Sequence, residues 1–572
     1  MIKKMFLGVI ALSIVFTSCS DDDTIALSAG EISGGPFTFS IDGVPDMVSG
    51  ISLDGNQFGS ESTWVVTDDS TDPVILGLPP TLSALEAVDF EGAGGGNCLI
   101  WYLRHDGSLS GASLNNNVSQ LAGNFDLSNS ISVTRLSGGT ITGGPFTFIV
   151  DGTPDMVSGI SVDGTPFGSQ RSWVVTDNSA DPVILGLPPT LAALEGVDFD
   201  GAGGGECLIW YLSHDGSLGG AAVNNNVSQL TGNYSLSNSI LVSRIDAGMI
   251  SGGPFTFSVN GMPDMVSGIS LDGSQFGNQS SWVVTDDSAD PVILGLPPTL
   301  AALEGVDFDG AGGGNCLIWY LRHDGSLSGA AVNNSVSQLT GNFDLSNSIT
   351  VTRLSGGTIS GGPFTFAVDG TPDMVSGISV GGTPFGSQSS WVVTDNSSDP
   401  VILGLPPTLA ALEGVDFDGA GGGECLIWYL SHDGSLGGAA VNNNVSQLTG
   451  NYSLSNSISV VRLDAGMITG GPFNFNVDGT PDMVSGIALD GTQFGSQSSW
   501  VVTDNSADPV ILSLPPTLAA LEGVDFDGAG TGTCLIWYLR HDGSLSGAAV
   551  NNTVSQLGGN FDLSNAITVN RN

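Results

Sequence analysis

The feature that most constrains the fold is a 109-residue repeat that occurs five times. The sequence Gly-Pro-Phe places its proline at evenly spaced positions, namely Pro36, Pro145, Pro254, Pro363 and Pro472. Solenoid and propeller repeats run to about 20–50 residues, whereas about 100 residues can enclose a core of their own. We therefore predict five tandem domains joined by two-residue linkers into a stiff rod, with bounds 30–136, 139–245, 248–354, 357–463 and 466–572.

The centre of each repeat is a run of six apolar residues, Cys98–Leu103 in the first copy, which a turn signal at 105–108 closes. A run this short without polar alternation is typical of a strand that is covered on both faces. Other short runs recur between turn signals about every ten residues, the pattern of a β-sandwich or barrel. One break has the spacing of a single helical turn capped by Thr81, which could cover the second face of the strand. The predicted fold class is all-β, with each repeat an Ig-like β-sandwich.

The first 29 residues have the composition of an export and anchoring segment. Residues 1–18 combine a basic start, an apolar run and a small-residue end, which indicates a secretory signal peptide too short to span a membrane. Phe16–Cys19 resembles the lipobox of bacterial lipoproteins, with phenylalanine in place of the usual leucine, and Ser20–Asp23 resembles the acidic signal that sends lipoproteins of Bacteroidetes to the outer face of the outer membrane. We expect a lipidated Cys19, a tether over 19–29 and membrane attachment through the lipid. The alternative is cleavage without lipidation.

The chain as a whole is strongly acidic. Against 57 acidic residues there are 11 basic ones, and the formal net charge is −46. Such a charge argues against nucleic acid or an anionic membrane surface as a partner. It favours either simple solvation or a specific role for cations.

The repeats offer little material for catalysis. Each has a single histidine, His105 in the first copy, and a nucleophile–base–orienter set would need further identifiable partners. The following residues, Asp106–Ser108, are typical of a turn. The one cysteine of each repeat opens the apolar strand, so we interpret Cys98 as a small buried side chain rather than a reactive thiol. We predict that the chain is not an enzyme.

Two groups of residues are candidate binding sites. Carboxylates at Asp68, Asp69 and Asp72, with Asp89 and Glu91, could supply oxygen ligands to calcium, although their spacing does not match a regular calcium loop. Trp64 and Trp101 could stack on sugars if they were exposed. Both tryptophans lie within predicted strands, which favours positions in the core instead.

The repeats also alternate in sequence. Arg104 and Asp126 have equivalents in the third and fifth copies, whereas the second and fourth copies have serine at both positions. Because the arginine and the aspartate are present together or absent together, we predict that Arg104 and Asp126 face each other on adjacent strands as an ion pair. Duplication of a two-domain block would give the same pattern without contact.

Several segments of each repeat are recognisable together. In the first copy, the segments Trp64–Asp68, Ile75–Pro80, Val88–Phe90, Gly92–Gly94, Cys98–Trp101 and Phe125–Asn129 resemble a repeat of secreted and surface proteins of marine Bacteroidetes. The resemblance implies surface location and modular use. Such proteins commonly carry cysteine where this chain has Ser40 and Asn124, which implies a bond in them between the first and last strands.

These features predict a lipid-anchored, outward-facing protein of the cell outer membrane. We expect its repeats to act as a stalk or adhesion module, with a surface glycan or protein as partner and repeated weak contacts adding through effective concentration. The alternative is a carbohydrate-binding lipoprotein of a polysaccharide-uptake system. Exposed tryptophans along a groove would favour the alternative, and buried ones would count against it. Calcium is the one cofactor that the acidic groups could hold.

Overall fold

The structure is a computed structural model that describes residues 26–572. The predicted signal peptide, Cys19 and most of the predicted tether lie outside the described residues. The chain divides into two compact units, one reaching from the start of the described residues to Asp246 and including Ser274–Gly277, the other comprising Ala247–Gly273 and Asn278–Asn572. Within residues 26–572, no helix has the length and apolar character needed to cross a membrane.

Each repeat contains eight strands, one helical turn and two 3₁₀ turns. In repeat 1 the elements are β1 Glu31–Ser33, β2 Phe37–Ser40, β3 Ser52–Asp54, β4 Glu61–Asp68, β5 Ile75–Gly77, α1 Leu82–Leu85, β6 Gly96–His105, β7 Phe125–Leu127 and β8 Ile131–Leu136, with 3₁₀ turns at Glu91–Ala93 and Val118–Gln120. The side chain of Thr81 accepts a hydrogen bond from the Ala84 N–H at 3.1 Å, which confirms the predicted cap.

The same labels are used for the equivalent elements of the other repeats. In the order β1 to β5, α1, β6 to β8, repeat 2 has Thr140–Thr142, Phe146–Ile149, Ser161–Asp163, Gln170–Asp177, Ile184–Gly186, Leu191–Leu194, Gly205–His214, Tyr234–Leu236 and Ile240–Ile245. Repeat 3 has Met249–Ser251, Phe255–Ser258, Ser270–Asp272, Gln279–Asp286, Ile293–Gly295, Leu300–Leu303, Gly314–His323, Phe343–Leu345 and Ile349–Leu354. Repeat 4 has Thr358–Ser360, Phe364–Ala367, Ser379–Gly381, Gln388–Asp395, Ile402–Gly404, Leu409–Glu413, Gly423–His432, Tyr452–Leu454 and Ile458–Leu463. Repeat 5 has Met467–Thr469, Phe473–Phe475, Ala488–Asp490, Gln497–Asp504, Ile511–Ser513, Leu518–Glu522, Gly532–His541, Phe561–Leu563 and Ile567–Arg571.

The strands of each repeat form a large mixed sheet and a small one. The large sheet has the order β2-β8-β6-β4-β5, with β7 also paired to β6, and the first pairing, β2 with β8, is parallel. The path β8-β6-β4-β5 is that of strands G, F, C and C′ in a variable-type immunoglobulin sheet. The second sheet has two strands, β1 and β3. Each repeat is therefore an Ig-like β-sandwich, in which the helical turn completes the smaller layer.

The central strand β6 is covered on both faces, as its sequence predicts. On one face Cys98 and Ile100 pack with Trp64 of β4, Ile32 of β1 and Leu85 of the helical turn. On the other face Leu103 packs with Val65 of β4, Ile75 of β5 and Leu121, which follows the second 3₁₀ turn. The helical turn thus covers the first of these faces, and the long loop between β6 and β7 covers the second.

Every hydrophobic cluster among residues 26–572 draws its members from a single repeat. Repeat 3, for example, has one cluster around Trp282 and Ile318 and another around Val283 and Leu321. The five repeats therefore have separate cores, which is the property that a 109-residue period predicts.

The predicted linkers are not free. Leu136 ends β8 of repeat 1, and the next residue, Ser137, already exchanges two backbone hydrogen bonds with Phe167 of repeat 2, at 3.0 and 2.8 Å. The Gly138 N–H donates to Ser235 Oγ at 3.2 Å. Repeat 2 therefore begins at Ser137, two residues before its predicted start.

Separate cores make the effect of a cavity local. Ile318 is 0% exposed at the centre of repeat 3, so Ile318→Ala should destabilise that repeat by about 2–5 kcal/mol. Hydrogen-exchange mass spectrometry of the full chain should show faster exchange in repeat 3 and unchanged exchange in repeat 1. Leu294→Ala, at a side chain that is 44% exposed, is the matched control. Equal acceleration in all repeats would contradict separate cores.

Candidate functional site

The histidine of each repeat belongs to a turn. In repeat 1 the ring Nδ1 of His105 accepts the Gly107 N–H at 3.2 Å, and its Nε2 lies 3.7 Å from the Glu61 carboxylate. The Ser108 hydroxyl instead accepts the Asn124 N–H at 2.9 Å. Hydrogen bonds from Ser108 and Asn124 lower the pKa of Asp106 to about 2. The structure therefore brings these groups together as a hydrogen-bonded turn and does not join His105 to the serine hydroxyl.

Four of the candidate calcium ligands, all aspartates, are held by separate hydrogen-bond contacts. Asp68 accepts hydrogen bonds from Ser70 and the Val74 N–H, and Asp69 accepts one from Asn97. Asp72 accepts both the N–H and the hydroxyl of Ser119, and Asp89 accepts the N–H groups of Asp46 and Glu91. Among residues 26–572, no group of three or more acidic, histidine or cysteine side chains is arranged to hold a metal ion. The predicted set does not assemble because the carboxylates are held by different parts of the repeat: Asp68 by its own loop, Asp69 by β6, and Asp72 by the second 3₁₀ turn.

Sequence reasoning missed Asp42 and Asp46, which lie beside the candidate ligands Asp89 and Glu91. Burial raises the pKa of Asp46, and the neighbouring carboxylates Asp42, Glu91 and Asp89 raise it further. The signal in the sequence was the recurrence of acids at the positions of Asp46, Asp89 and Glu91 in every repeat, and at that of Asp42 in all but the third, which has Asn260. The pKa values of Asp155, Asp264, Asp373 and Asp482 are raised in the same way.

The two candidate sugar-binding tryptophans lie in the two cores of the repeat. Trp64 is 2% exposed and packs against Tyr102, with 5.0 Å between ring centroids. Trp101 is half-buried in the cluster on the other face, and its ring N–H donates to Thr67 Oγ1 at 3.0 Å. Both positions are the core positions that the strand pattern favoured, with Trp64 fully buried and Trp101 partly buried.

The cysteines Cys98, Cys207, Cys316, Cys425 and Cys534 are buried and free. Burial raises the pKa of the Cys98 and Cys316 thiols to about 11. A thiol with such a pKa is protonated at neutral pH and is a poor nucleophile.

Arg104 and Asp126 lie directly opposite each other on β6 and β7, as the alternation predicted. Their charged ends nevertheless make separate contacts. The Asp126 carboxylate accepts the Ala29 N–H at 2.8 Å, whereas the Arg104 guanidinium lies 5.8 Å from the centre of the Tyr102 ring. The predicted ion pair does not form between them, because the backbone N–H of Ala29, just before β1, and the aromatic face of Tyr102 attract the two groups in different directions.

Adjacent repeats of one unit contact each other through the end of β2 and the start of β7. In the first unit, Ser40 Oγ of repeat 1 donates to the Tyr234 carbonyl of repeat 2, and Ser235 Oγ of repeat 2 donates to the Ile41 carbonyl at 3.0 Å. In the second unit, Ser258 and Tyr452 make the equivalent contact, and Ser453 Oγ donates to the Val259 carbonyl at 3.1 Å. These junctions are the candidate functional surfaces that the sequence did not reveal.

The position that alternates between aspartate and serine makes different contacts in the two cases. Ser235 and Ser453 occupy the position of Asp126, and each reaches back to the preceding repeat. At the junction of repeats 4 and 5 the same position holds Asp562, whose carboxylate accepts the Ala465 N–H at 2.6 Å and is 6% exposed. Burial raises the pKa of Asp562 to about 6, and repulsion from Asp464 and Asp369 adds to the effect. Serine at this position therefore bonds to the preceding repeat, whereas aspartate accepts a backbone N–H at the start of its own repeat.

The register of the sheet places Ser40 and Asn124 at opposite ends of this repeat. Ser40 lies near the Gly96 end of β6, because its neighbour Phe39 is level with Gly96 in the sheet. Asn124 lies at the other end of β6, because its neighbour Phe125 pairs with His105. At about 3.3 Å per residue these ends are about 30 Å apart, too far for a disulfide. Ser40 instead contacts Tyr234, next to Asn233, the equivalent of Asn124 in repeat 2.

No protein-family model matches the chain, and no curated protein matches it. Among solved structures, it is similar to immunoglobulin domains 1–5 of Sidekick-1, with 8% identity, 96% of this chain and 98% of the other covered, and a TM-score of 0.15. It is also similar to the N-terminal eight Ig domains of Down Syndrome Cell Adhesion Molecule, with 13% identity, 96% of this chain and 69% of the other covered, and a TM-score of 0.17. A third similar structure is mouse cadherin-23 EC22-24, with 10% identity, 57% of this chain and 99% of the other covered, and a TM-score of 0.15. TM-scores this low do not establish a shared arrangement, so the fold assignment rests on the strand order.

The junction predicts which cysteines can be joined. Ser40→Cys combined with Asn233→Cys should form a disulfide on mild oxidation, because Ser40 contacts the residue next to Asn233. Ser40→Cys combined with Asn124→Cys is the matched control and should stay reduced. Peptide mapping under non-reducing conditions distinguishes the two. A disulfide in the control pair, or no disulfide in the junction pair, would contradict the contact between Ser40 and the start of β7 in repeat 2.

The junction of repeats 4 and 5 should respond to pH. The pKa of Asp562 is raised from 3.8 to about 6, so the folded chain binds this proton more tightly than the unfolded chain. The carboxyl therefore lowers the stability of repeat 5 as the pH rises from 3.8 through about 6. Asp562→Asn keeps the acceptor for Ala465 and should stabilise repeat 5 more at pH 7 than at pH 4, as measured by hydrogen exchange. Asp490→Asn, at an exposed position, should show no such difference.

Proposed function

We propose that this chain is a cell-surface lipoprotein whose repeats act as a stalk and adhesion module on the outer face of the outer membrane. The observation that carries the proposal is the junction between repeats of one unit. Leu136 and Ser137 leave no free linker, and side chains bond across the junction in both directions. Domains held in this way keep a fixed relation to their neighbours, as a stalk requires.

Repetition supports adhesion as well as reach. Each repeat presents nearly the same surface, so a weak contact with a surface glycan or protein can be made several times by one chain. The second contact is then made at a high effective concentration, and avidity exceeds the affinity of one contact by about 10²–10⁴. The high negative charge keeps such a surface solvated.

Removal of two repeats tests the adhesive function. Deletion of residues 137–354 joins Leu136 to Ser355, which reproduces the natural junction of Leu354 with Ser355. Beads coated with the full chain or with the shortened chain are compared for retention on cells and on glycan arrays. We expect retention to fall by about tenfold or more with fewer copies. Equal retention would indicate that one repeat carries the contact, and no retention of either form would reject adhesion.

The proposed anchor has its own test. Cys19→Ser should release the protein from the membrane fraction into the medium, because each buried methylene of the lipid contributes about 0.8 kcal/mol to membrane attachment. Cys98→Ser removes a buried cysteine instead and should leave the protein in the membrane fraction. Protease treatment of intact cells should degrade the anchored protein if it faces outward. Retention of the Cys19 variant in the membrane fraction would contradict lipid anchoring.

A further inference from the structure

A buried arginine recurs near the end of β8 in every repeat. The five side chains, 5–8% exposed, are Arg135, Arg244, Arg353, Arg462 and Arg571. None of them forms an ion pair with a carboxylate in the part of the chain that the structure describes. A guanidinium does not lose its charge in proteins, and a buried charge without a partner is costly. In a chain with 57 acidic residues, these unpaired arginines therefore require an explanation.

The contacts of these arginines hold the side chains in place without neutralising them. In repeat 3, Arg353 Nε lies 3.4 Å from the Gly314 carbonyl oxygen. In repeat 2, Arg244 Nε donates to the Gly203 carbonyl at 2.6 Å and Nη1 donates to Cys207 Sγ at 3.2 Å. All of these acceptors are uncharged. They use one or two of the five N–H donors of a guanidinium, so the remaining donors are available to a ligand.

The arginine borders a small apolar cavity. In repeat 3 the cavity has a volume of about 150 Å³, and its lining includes Leu294, Val306, Phe308, Cys316 and Arg353. Equivalent cavities of about 300, 150 and 140 Å³ border Arg135, Arg244 and Arg462. At about 30 Å³ per water molecule, a volume of 150 Å³ corresponds to about five waters. A ligand of about six non-hydrogen atoms therefore fits.

We propose that these cavities bind a small monocarboxylate with a short apolar chain. The planar guanidinium presents paired donors that match the two oxygens of a carboxylate, and the apolar walls accommodate the hydrocarbon part. A phosphate would leave oxygens unpaired against those walls. Asp307 also lines the cavity of repeat 3 and repels any anion, a doubly charged one about twice as strongly as a singly charged one. The inference does not depend on the proposed stalk function.

The cysteine in the cavity does not react with the ligand. Burial raises the pKa of the Cys316 thiol to about 11, although Arg353 acts in the opposite direction. The thiol is therefore protonated at neutral pH, and binding is reversible and non-covalent.

The low number of arginines allows a direct test in the full chain. With Lys3 and Lys4 the only lysines, the 11 basic residues include nine arginines, and each contributes one Nε–Hε NMR signal, which single Arg→Lys variants assign. Titration with millimolar isobutyrate should move the signals of the buried arginines that border cavities and leave Arg104, Arg171 and Arg540 unchanged. Isobutyramide has the same shape without the charge and is the control ligand, and inorganic phosphate is the control anion.

A blocked cavity supplies the control within one molecule. Ala311 is an exposed residue of the cavity lining in repeat 3, so Ala311→Leu should fill the cavity without loss of the fold. The Arg353 signal should then stop responding to isobutyrate, while the Arg135, Arg244 and Arg462 signals still move. The proposal is overturned if isobutyrate moves none of these signals, if the amide moves them equally, or if Arg353 still responds in the variant. An equal response to phosphate would overturn the assignment to a monocarboxylate.

Discussion

The structure of each repeat depends on a central strand that must be covered on both faces. Cys98, Ile100 and Tyr102 point to one side of the sheet, and Trp101 and Leu103 point to the other. A single sheet would leave one of these faces in water. The two-stranded sheet with its helical turn covers the first face, and the loop after β6 covers the second. Each repeat thereby encloses both faces of its sheet within its own sequence.

Enclosed faces leave only the ends of the strands for contact with a neighbour. The contacts described at those ends are hydrogen bonds, such as that between Ser235 and the Ile41 carbonyl. Polar contacts of this kind fix the position of a neighbouring repeat without fusing its core to the next. This explains how hydrophobic clusters confined to single repeats coexist with junctions that have no free linker.

Much of the fold was predictable from the sequence because it depends on local pattern. The apolar run Cys98–Leu103 predicted the doubly covered strand, and Thr81 predicted the helical turn. Contacts between repeats were not predictable, because no single-repeat pattern shows that Ser235 reaches Ile41. The joint replacement of Arg104 and Asp126 by serine in repeats 2 and 4 suggested an ion pair, because the sequence does not show that the replacing serine bonds to another repeat. The cavity beside Arg135 was not predictable, because the alternating pattern of β8 does not show which residues of other segments pack around this side chain.

The central claim, that each repeat folds by itself, is tested most directly by the isolated second repeat, residues 137–245, which includes the Ser137 pairing that the structure reveals. The account predicts a cooperative unfolding transition and a dispersed NMR spectrum, with the Trp173 ring buried as it is in the full chain. A chain that stays unfolded alone, and folds only when repeat 1 is attached, would contradict it.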